Sequence, residues 1–232
     1  MPVHGIIFDI DGTLIDTNPT HVEAWWRAFK SLGYDVPVDR IEVEIGKGGD
    51  QLVPAVLGDE AEQRHGEALR RGQKQEFLTL ARGRHFRVFP CAPELMVSLR
   101  DRNIRTALAT SSDEKHLQAT SESAGIDLSE LADYLVTSDE AEASKPAPDL
   151  VIAACEKLSL DPGECAMVGD TIYDAEAAQG AGVVFLGVES GGTRAETLVA
   201  AGAAGVWRDT AHLYSELAEA LQRATTAATA SN

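Results

Sequence analysis

The sequence predicts an α/β protein in which a doubly wound parallel sheet carries a small all-helical domain. Short apolar segments alternate with helical segments from about residue 86 onward, an order typical of a parallel sheet covered by helices on both faces. A run of helical patterns also follows the first apolar segment directly. We therefore expect a core built from residues 1–14 and 87–232, and a helical cap domain built from residues 15–86.

Six short apolar segments are the predicted strands. The first covers residues 3–9, where β-branched residues run up to a cluster of acids and a glycine. The other five cover residues 106–109, 134–136, 165–168, 183–186 and 205–207. The predicted helices of the core cover residues 92–102, 114–124, 149–158, 173–180, 194–201 and 211–220.

The predicted cap begins with a strong helix signal. Asn18 is expected to cap the first helix, and Pro19 suits its first turn because the amide there needs no partner. Apolar residues then recur at helical spacing: Val22, Trp25, Trp26, Phe29 and Leu32. At the other end of the chain, residues 224–232 are rich in Thr, Ala and Ser, and we expect them to fray.

Composition and charge exclude several classes of protein. The 232 residues are 44% hydrophobic and 25% charged, as in ordinary globular domains, which excludes a disordered or fibrous chain. No apolar run is long enough to cross a bilayer, and the N-terminal residues do not read as a signal peptide. The formal net charge of −17 argues against nucleic acids and anionic membrane surfaces as partners.

The cysteines indicate a reducing compartment. Cys91, Cys155 and Cys165 are scattered along the chain and form neither a disulfide framework nor a metal-binding pattern. We therefore expect a cytoplasmic protein. A monomer or a weak dimer is expected as well, although no motif in the sequence decides between them.

Reactive side chains follow the predicted strands, at the edge where open α/β sheets bind their ligands. They are Asp9 and Asp11 after the first strand, Thr110 and Ser111 after the second, Lys145 after the third, and Asp170 and Asp174 after the fourth. Clustered carboxylates repel one another unless a cation lies between them. Mg²⁺ prefers such oxygen ligands and commonly binds phosphate as well, so the pattern predicts a site for phosphoryl chemistry.

Four motifs in this order resemble those of the haloacid dehalogenase (HAD) superfamily. They are DIDGT at residues 9–13, Thr110 after an apolar segment, Lys145-Pro146, and GDTIYD at residues 169–174. The resemblance covers nearly the whole chain, and the position of the helical insert is similar to the helical-cap subclass, which includes phosphoglycolate phosphatase and β-phosphoglucomutase-like hydrolases. It implies a Rossmann-like HAD core and phosphoryl transfer on a small phosphorylated metabolite.

The resemblance also implies catalytic roles for four residues. Asp9 would attack phosphorus and form an aspartyl-phosphate. Asp11 would protonate the leaving oxygen and later deprotonate the hydrolytic water. Thr110 would donate a hydrogen bond to a phosphoryl oxygen, and Lys145 would neutralise developing charge and hold Asp9 in place.

A Mg²⁺ site is implied in the same way. Its expected ligands are Asp9, the backbone carbonyl of Asp11, and Asp170, with Asp174 binding directly or through water. Gly12 allows a tight loop whose backbone amides face the phosphate.

Three further residues are candidates for substrate binding. Ser111 lies beside Thr110, although capping of the next helix is the simpler role for it. His21 lies one helical turn before Trp25, and either substrate contact or packing would account for it. Lys47 stands in a glycine-rich turn of the cap, where close approach to the core is possible.

Two activities and one non-catalytic role are compatible with the motifs. Because Asp11 is present, dehalogenation is disfavoured, since that reaction has no leaving oxygen to protonate. A β-phosphoglucomutase-like sugar phosphomutase would need cationic cap residues where this chain has Gly49 and, approximately, Gly72. We therefore expect a phosphatase, with a mutase as the alternative and a non-catalytic phosphate-binding protein as a third class.

Overall fold

The computed structural model describes residues 2–230 and contains one six-stranded sheet. All adjacent strands run parallel, in the spatial order β3-β2-β1-β4-β5-β6. The strands are β1 (Gly5–Phe8), β2 (Arg105–Ala109), β3 (Tyr134–Val136), β4 (Cys165–Gly169), β5 (Val184–Val188) and β6 (Val206–Trp207). The predicted doubly wound parallel sheet is confirmed, and each predicted strand is found within a few residues of its expected position.

The register of the three central strands brings their carboxyl ends to one level. Phe8 of β1 pairs with Leu108 of β2 on one side and with Val168 of β4 on the other. The backbone amide of Asp9 still donates to the carbonyl of Val168 at 2.9 Å, so the next residue leaves the sheet at this same edge. The chain segments that follow β1, β2 and β4 therefore meet there, as the strand-end argument requires.

Four helices lie between β1 and the rest of the core. They are α1 (Asn18–Ser31), α2 (Val38–Glu42), α3 (Gly49–Leu57) and α4 (Asp59–Arg82). Trp25, Phe29 and Leu69 belong to a hydrophobic cluster within this group that is separate from the two clusters beside the sheet. The group thus has the composition expected of a small helical cap, and its division from the core at residues 15–86 stays a prediction.

The remaining helices cover the sheet on both faces. They are α5 (Ala92–Asp101), α6 (Glu114–Ala124), α7 (Leu128–Leu131), α8 (Asp149–Leu158), α9 (Ile172–Ala181), α10 (Ala195–Ala200), α11 (Thr210–Ser215) and α12 (Leu217–Ala230). Successive residues of β1 point to opposite faces, so Ile6 and Phe8 join one core cluster while Ile7 joins the other. Within residues 2–230, no helix is long and apolar enough to cross a membrane.

Two local expectations are wrong. Asn18 does not cap α1: Thr17 occupies the N-cap position, and the Asn18 amide points instead toward the strand ends of the core. Residues 224–230 do not fray, because α12 extends to Ala230 and buries Ala224 and Ala228; residues 231 and 232 lie outside the described part. Small apolar side chains at helical spacing gave this helix a packing face that composition alone did not show.

The C-terminal helix should therefore be required for stability. We expect Ala224→Glu to lower the free energy of unfolding by about 3 kcal/mol or more, because it buries an unpaired charge. Gln222→Glu adds the same charge at an exposed position of the same helix and should change stability by less than about 0.5 kcal/mol. Urea denaturation of both variants checks this, and equal stabilities would mean that α12 does not pack as described.

Candidate active site

A buried lysine joins two carboxylates at the centre of the strand ends. Lys145 lies in the loop after β3 and is only 1% exposed. Its Nζ donates to Oδ1 of Asp9, and to Oδ1 of Asp174 at 2.8 Å. Burial by itself would lower the pKa of Lys145, but the carboxylates of Asp174 and Asp9 raise it further than burial lowers it, so the ammonium stays charged.

Asp170 and Asp174 are held by different neighbours. Oδ2 of Asp174 accepts from the backbone amide of Thr171 at 3.0 Å and from its hydroxyl at 2.7 Å, which also caps α9. Asp170 accepts from the hydroxyl of Thr13 at 3.0 Å and from the amide of Asn18 at 3.1 Å. Asn18 and Thr13 therefore orient the acid that follows β4, a role that sequence reasoning missed because these segments are far apart in the chain.

Three buried carboxylates have the donor set of a divalent cation site. One ligand oxygen from each of Asp9, Asp170 and Asp174 lies within 4.8 Å of the other two. Burial raises the pKa of Asp9 to about 7, with neighbouring carboxylates adding to the effect and Lys145 opposing it. Burial and the carboxylates of Asp174 and Asp9 also raise the pKa of Asp170. One ammonium does not compensate the cluster, whereas an added hard cation with oxygen ligands would.

Asp11 makes its polar contacts with a separate set of donors. Its Oδ1 accepts from the hydroxyl of Thr17 at 2.6 Å and lies 3.2 Å from Nε2 of His21. Its Oδ2 accepts from the hydroxyls of Thr110 at 3.2 Å and Ser112 at 3.3 Å. Burial would raise the pKa of Asp11, but His21 and the hydrogen bond from Thr17 outweigh burial and hold the pKa below its ordinary value.

His21 is placed against Asp11 and the cap. Its ring stacks on Phe77 of α4 with centroids 4.3 Å apart, and its Nδ1 lies 3.4 Å from the side-chain nitrogen of Gln73. A histidine fixed on both nitrogens is suited to setting the charge state of Asp11. The ring also borders the cavity described next. Contact between His21 and a substrate stays a prediction.

A cavity of about 460 Å³ opens above Asp9 and Asp11, between the core and α1, α3 and α4. Four cap cations border it, and each has an acidic partner. The pairs are Lys47 with Glu44 at 2.5 Å, Arg70 with Glu62 at 2.8 Å, Arg71 with Glu67 at 3.3 Å, and Lys74 with Asp113. The cations therefore do not present a free positive surface, and an anionic group of a substrate would have to compete with these acids.

Two glycines permit close packing around Asp170. Gly12 has φ of +85°, and a Cβ there would lie 2.5 Å from Oδ2 of Asp170. A Cβ on Gly191, in the loop after β5, would lie 1.6 Å from the same oxygen. The hydroxyl of Ser190 donates to the carbonyl of Gly12 at 2.7 Å and joins the two loops. The loop after β5 is thus part of the site, which no motif in the sequence indicated.

The predicted catalytic and metal-binding residues lie close together, and one hydroxyl among the predicted residues has no hydrogen-bond partner within residues 2–230. Asp9, Asp11, Thr110 and Lys145 line one cavity, with Asp170 and Asp174 beneath it. Ser111 also lines the cavity, and its Oγ is buried with no hydrogen-bond partner in the described chain, so it has capacity for a ligand. The roles that the resemblance implies for these residues stay predictions.

The six-stranded parallel sheet with its flanking helices defines a Rossmann-like α/β fold, with a buried acid cluster at its strand ends. The chain belongs to the haloacid dehalogenase-like hydrolases, because the sequence model of that family matches residues 3–182. A phosphoglycolate phosphatase from Nitrosospira multiformis is 31% identical over 186 residues, which cover 78% of this chain and 81% of that protein.

Two other relatives extend the comparison. An N-acetylmuramic acid 6-phosphate phosphatase from Pseudomonas putida is 28% identical, over 82% of this chain and 85% of that protein. The crystal structure of a hydrolase from Pseudomonas syringae has a TM-score of 0.85 and 29% sequence identity, and covers 93% of this chain and 98% of its own. The similarity therefore extends over both the sheet and the helices between β1 and α5.

Removing the charge of Asp170 should stabilise the protein in excess chelator, and more so at high pH. Because the pKa of Asp170 is raised in the folded protein, ionisation of this carboxyl opposes folding. The destabilisation is absent below the ordinary carboxyl pKa and grows as the pH rises toward the raised pKa of the folded state. We expect the melting temperature of Asp170→Asn to be higher than that of wild type at pH 8, and we expect the difference to shrink toward pH 4. Differential scanning calorimetry in chelator checks this.

The matched control is Asp16→Asn, which removes an acid from an exposed pair with Arg87. It should change the melting temperature little at either pH. With saturating Mg²⁺ the order should reverse, because the Asp170 variant loses a ligand and wild type gains binding free energy. A variant that is less stable than wild type under all of these conditions would contradict the charge-repulsion account.

Proposed function

We propose that this protein is a Mg²⁺-dependent phosphatase that hydrolyses a small phosphorylated metabolite through an aspartyl-phosphate on Asp9. The observation that carries the proposal is the pairing of Asp9 with the buried Lys145 at the floor of the cavity. Asp11 lies beside this pair and accepts a hydrogen bond from the hydroxyl of Thr110. A fixed nucleophile, a second acid and a charge neutraliser are the groups that this reaction requires. The phosphatase names of similar proteins support it.

In the first half-reaction, a carboxylate oxygen of Asp9 forms a bond to phosphorus as the bond from phosphorus to the leaving oxygen breaks. Lys145 holds Asp9 in place and offsets the negative charge that develops on the phosphoryl oxygens. Asp11 gives its proton to the leaving oxygen. His21 favours the ionised form of Asp11, so a substrate that displaces this contact raises the pKa of Asp11 and prepares it as an acid.

In the second half-reaction, water attacks the phosphorus of the aspartyl-phosphate. Asp11, now a carboxylate, takes a proton from that water, the bond from Asp9 to phosphorus breaks, and inorganic phosphate leaves. The hydroxyls of Thr17, Thr110 and Ser112 together with His21 stabilise the carboxylate form that this step needs. Thr110 would donate to a phosphoryl oxygen once Asp11 turns toward the substrate.

Asp9, Asp170 and Asp174 would hold the Mg²⁺, with the backbone carbonyl of Asp11 as a further ligand. When bound, the ion supplies positive charge to the phosphoryl group and removes the repulsion among these carboxylates. Such a local cation is what a chain with a net charge of −17 needs in order to bind a phosphate ester.

The cap favours hydrolysis over sugar-phosphate transfer. A side chain at Gly49 would collide with Arg70 and the ring of Trp25, and a Cβ at Gly72 would face Ala28 of α1 rather than the cavity. The cations that do border the cavity are already paired with acids. A second phosphate would therefore have no free cationic clamp, as a phosphomutase requires.

Partner and location complete the proposal. We propose that the substrate is a small phosphate ester, that the enzyme is a cytoplasmic monomer or weak dimer, and that nucleic acids and membranes are not its partners. The free thiols of Cys91, Cys155 and Cys165 support a reducing compartment.

Assays with p-nitrophenyl phosphate and a set of sugar phosphates distinguish the phosphatase from the mutase and from the non-catalytic binder. Release of inorganic phosphate only with Mg²⁺ supports the phosphatase. Isomerisation without release, or no turnover, favours the others.

Asp9→Asn should abolish turnover while the protein stays folded. The amide has nearly the same shape but cannot act as the nucleophile, so phosphate release should fall below about 1% of wild type. Circular dichroism should be unchanged, and Asp16→Asn serves as a folded and active control. Activity well above that level in the Asp9 variant would exclude Asp9 as the nucleophile.

Asp11→Asn should slow the reaction by about 10²- to 10⁴-fold, because neither proton transfer can then take place at this residue. The effect on the phosphorylation step should depend on the leaving group. A p-nitrophenolate leaves without much protonation, so its rate should fall less than that of an alkyl phosphate in single-turnover measurements. If both esters lose the same factor, Asp11 does not act as the general acid.

A further inference from the structure

The turn between α2 and α3, residues 43–48, lies directly against the catalytic loops of the core. We refer to it as the cap turn. A Cβ on Gly46 would come within 2.8 Å of the Thr171 side chain, and a Cβ on Gly48 within 2.0 Å of Ser144. The backbone amide of Gly48 donates to the carbonyl of Lys145 at 3.4 Å. The glycines of the turn therefore allow a backbone approach that any side chain would prevent.

One core side chain makes the polar contacts that hold this turn. The hydroxyl of Tyr173 donates to the carbonyl of Val43 at 2.8 Å and lies 3.1 Å from a carboxylate oxygen of Glu44. Nζ of Lys47 binds Glu44 at 2.5 Å and sits 4.7 Å from the centre of the Tyr173 ring. Tyr173, Glu44 and Lys47 thus form one cluster that spans from the cap to the core.

This cluster is attached to the catalytic groups through very short lengths of chain. Tyr173 precedes Asp174, whose Oδ1 binds the Lys145 ammonium. The other end of the turn contacts the backbone of Lys145 itself through Gly48. A shift of the cap turn away from Tyr173 would therefore release the loop that carries Lys145 on one side and remove a neighbour of α9 on the other.

We propose that Tyr173 is a positioning residue that docks the cap turn on the core and thereby fixes Lys145 against Asp9. Lys47 then acts within this cluster, with Glu44 and the Tyr173 ring as its partners, and not as a primary clamp on the substrate. The proposal extends the proposed phosphatase mechanism in its kinetic consequence, while the docking itself can be measured without any substrate.

The peptide bond after Lys47 offers a direct readout of docking. Trypsin cuts after lysine, and a turn held against the core resists cleavage because the chain must leave its place to enter a protease. We expect Tyr173→Phe, which keeps the ring and removes the hydroxyl, to speed cleavage after Lys47 by about 5-fold or more, as loss of a hydrogen bond of about 1 kcal/mol would. Cleavage after the exposed Lys115 of α6 provides the internal reference, since a general loss of stability would raise both rates.

Kinetics test the link to the catalytic lysine. With p-nitrophenyl phosphate and saturating Mg²⁺, Tyr173→Phe should lower kcat by about 10-fold and change KM by less than about 2-fold, because Lys145 acts on charge that develops in the transition state. Glu44→Gln leaves the hydrogen bond from Tyr173 to Val43 in place. It should therefore speed cleavage after Lys47 and lower kcat by smaller factors than Tyr173→Phe does. Tyr134→Phe removes an exposed hydroxyl from β3 and should match wild type in both measurements.

The outcomes separate the proposal from the function it builds on. Faster cleavage after Lys47 relative to Lys115, together with the fall in kcat, supports the positioning role. Unchanged cleavage overturns docking by Tyr173, and faster cleavage with unchanged kcat overturns the connection to Lys145. A wild-type protein without phosphatase activity would reject the proposed function, while the cleavage assay would still decide whether Tyr173 docks the turn.

Discussion

The ion pairs of the buried Lys145 are the interaction on which the rest of the site depends. An ammonium with 1% exposure is tolerable only beside compensating charge, and Asp9 and Asp174 supply it. The same contact brings three loops from separate strands to one point. Thr171 and the start of α9 orient Asp174. The lysine is therefore held by an acid with a fixed position as well as by Asp9. A buried pair of this kind gives the site a defined geometry more than it adds to stability.

Excess negative charge is the second constraint on this site. Asp170 lies next to the lysine-bound acids, and its hydrogen bonds from Thr13 and Asn18 only partly offset the repulsion. Asp11 is instead surrounded by four polar contacts, from Thr17, His21, Thr110 and Ser112. The first motif therefore places its two acids in different environments, Asp9 among buried carboxylates that share one ammonium and Asp11 among hydrogen-bond donors. This difference suits one acid to attack and metal binding and the other to proton transfer.

The cap contributes through contact with these loops more than through free charge. Its cations are paired, its glycine-rich turn lies against Ser144 and Thr171, and His21 of α1 reaches Asp11. Opening or closing of the cap would therefore alter the surroundings of Lys145 and Asp11 together. In the proposed mechanism, residues that line the cavity beneath the cap would also hold the catalytic groups in place.

The sequence by itself determined the sheet and the set of polar side chains that meet at its edge, because both depend on local patterns. Strand positions followed from short apolar runs, and the acids, Thr110 and Lys145 at the strand ends were expected to meet once the strands paired in parallel. The tertiary structure alone decided the partners of Asn18, His21, Lys47 and Tyr173. Asn18, for example, binds Asp170 across 152 positions of sequence in place of capping its own helix. Such choices depend on which segments approach through space and on the room left by glycines such as Gly191, and no local pattern records either.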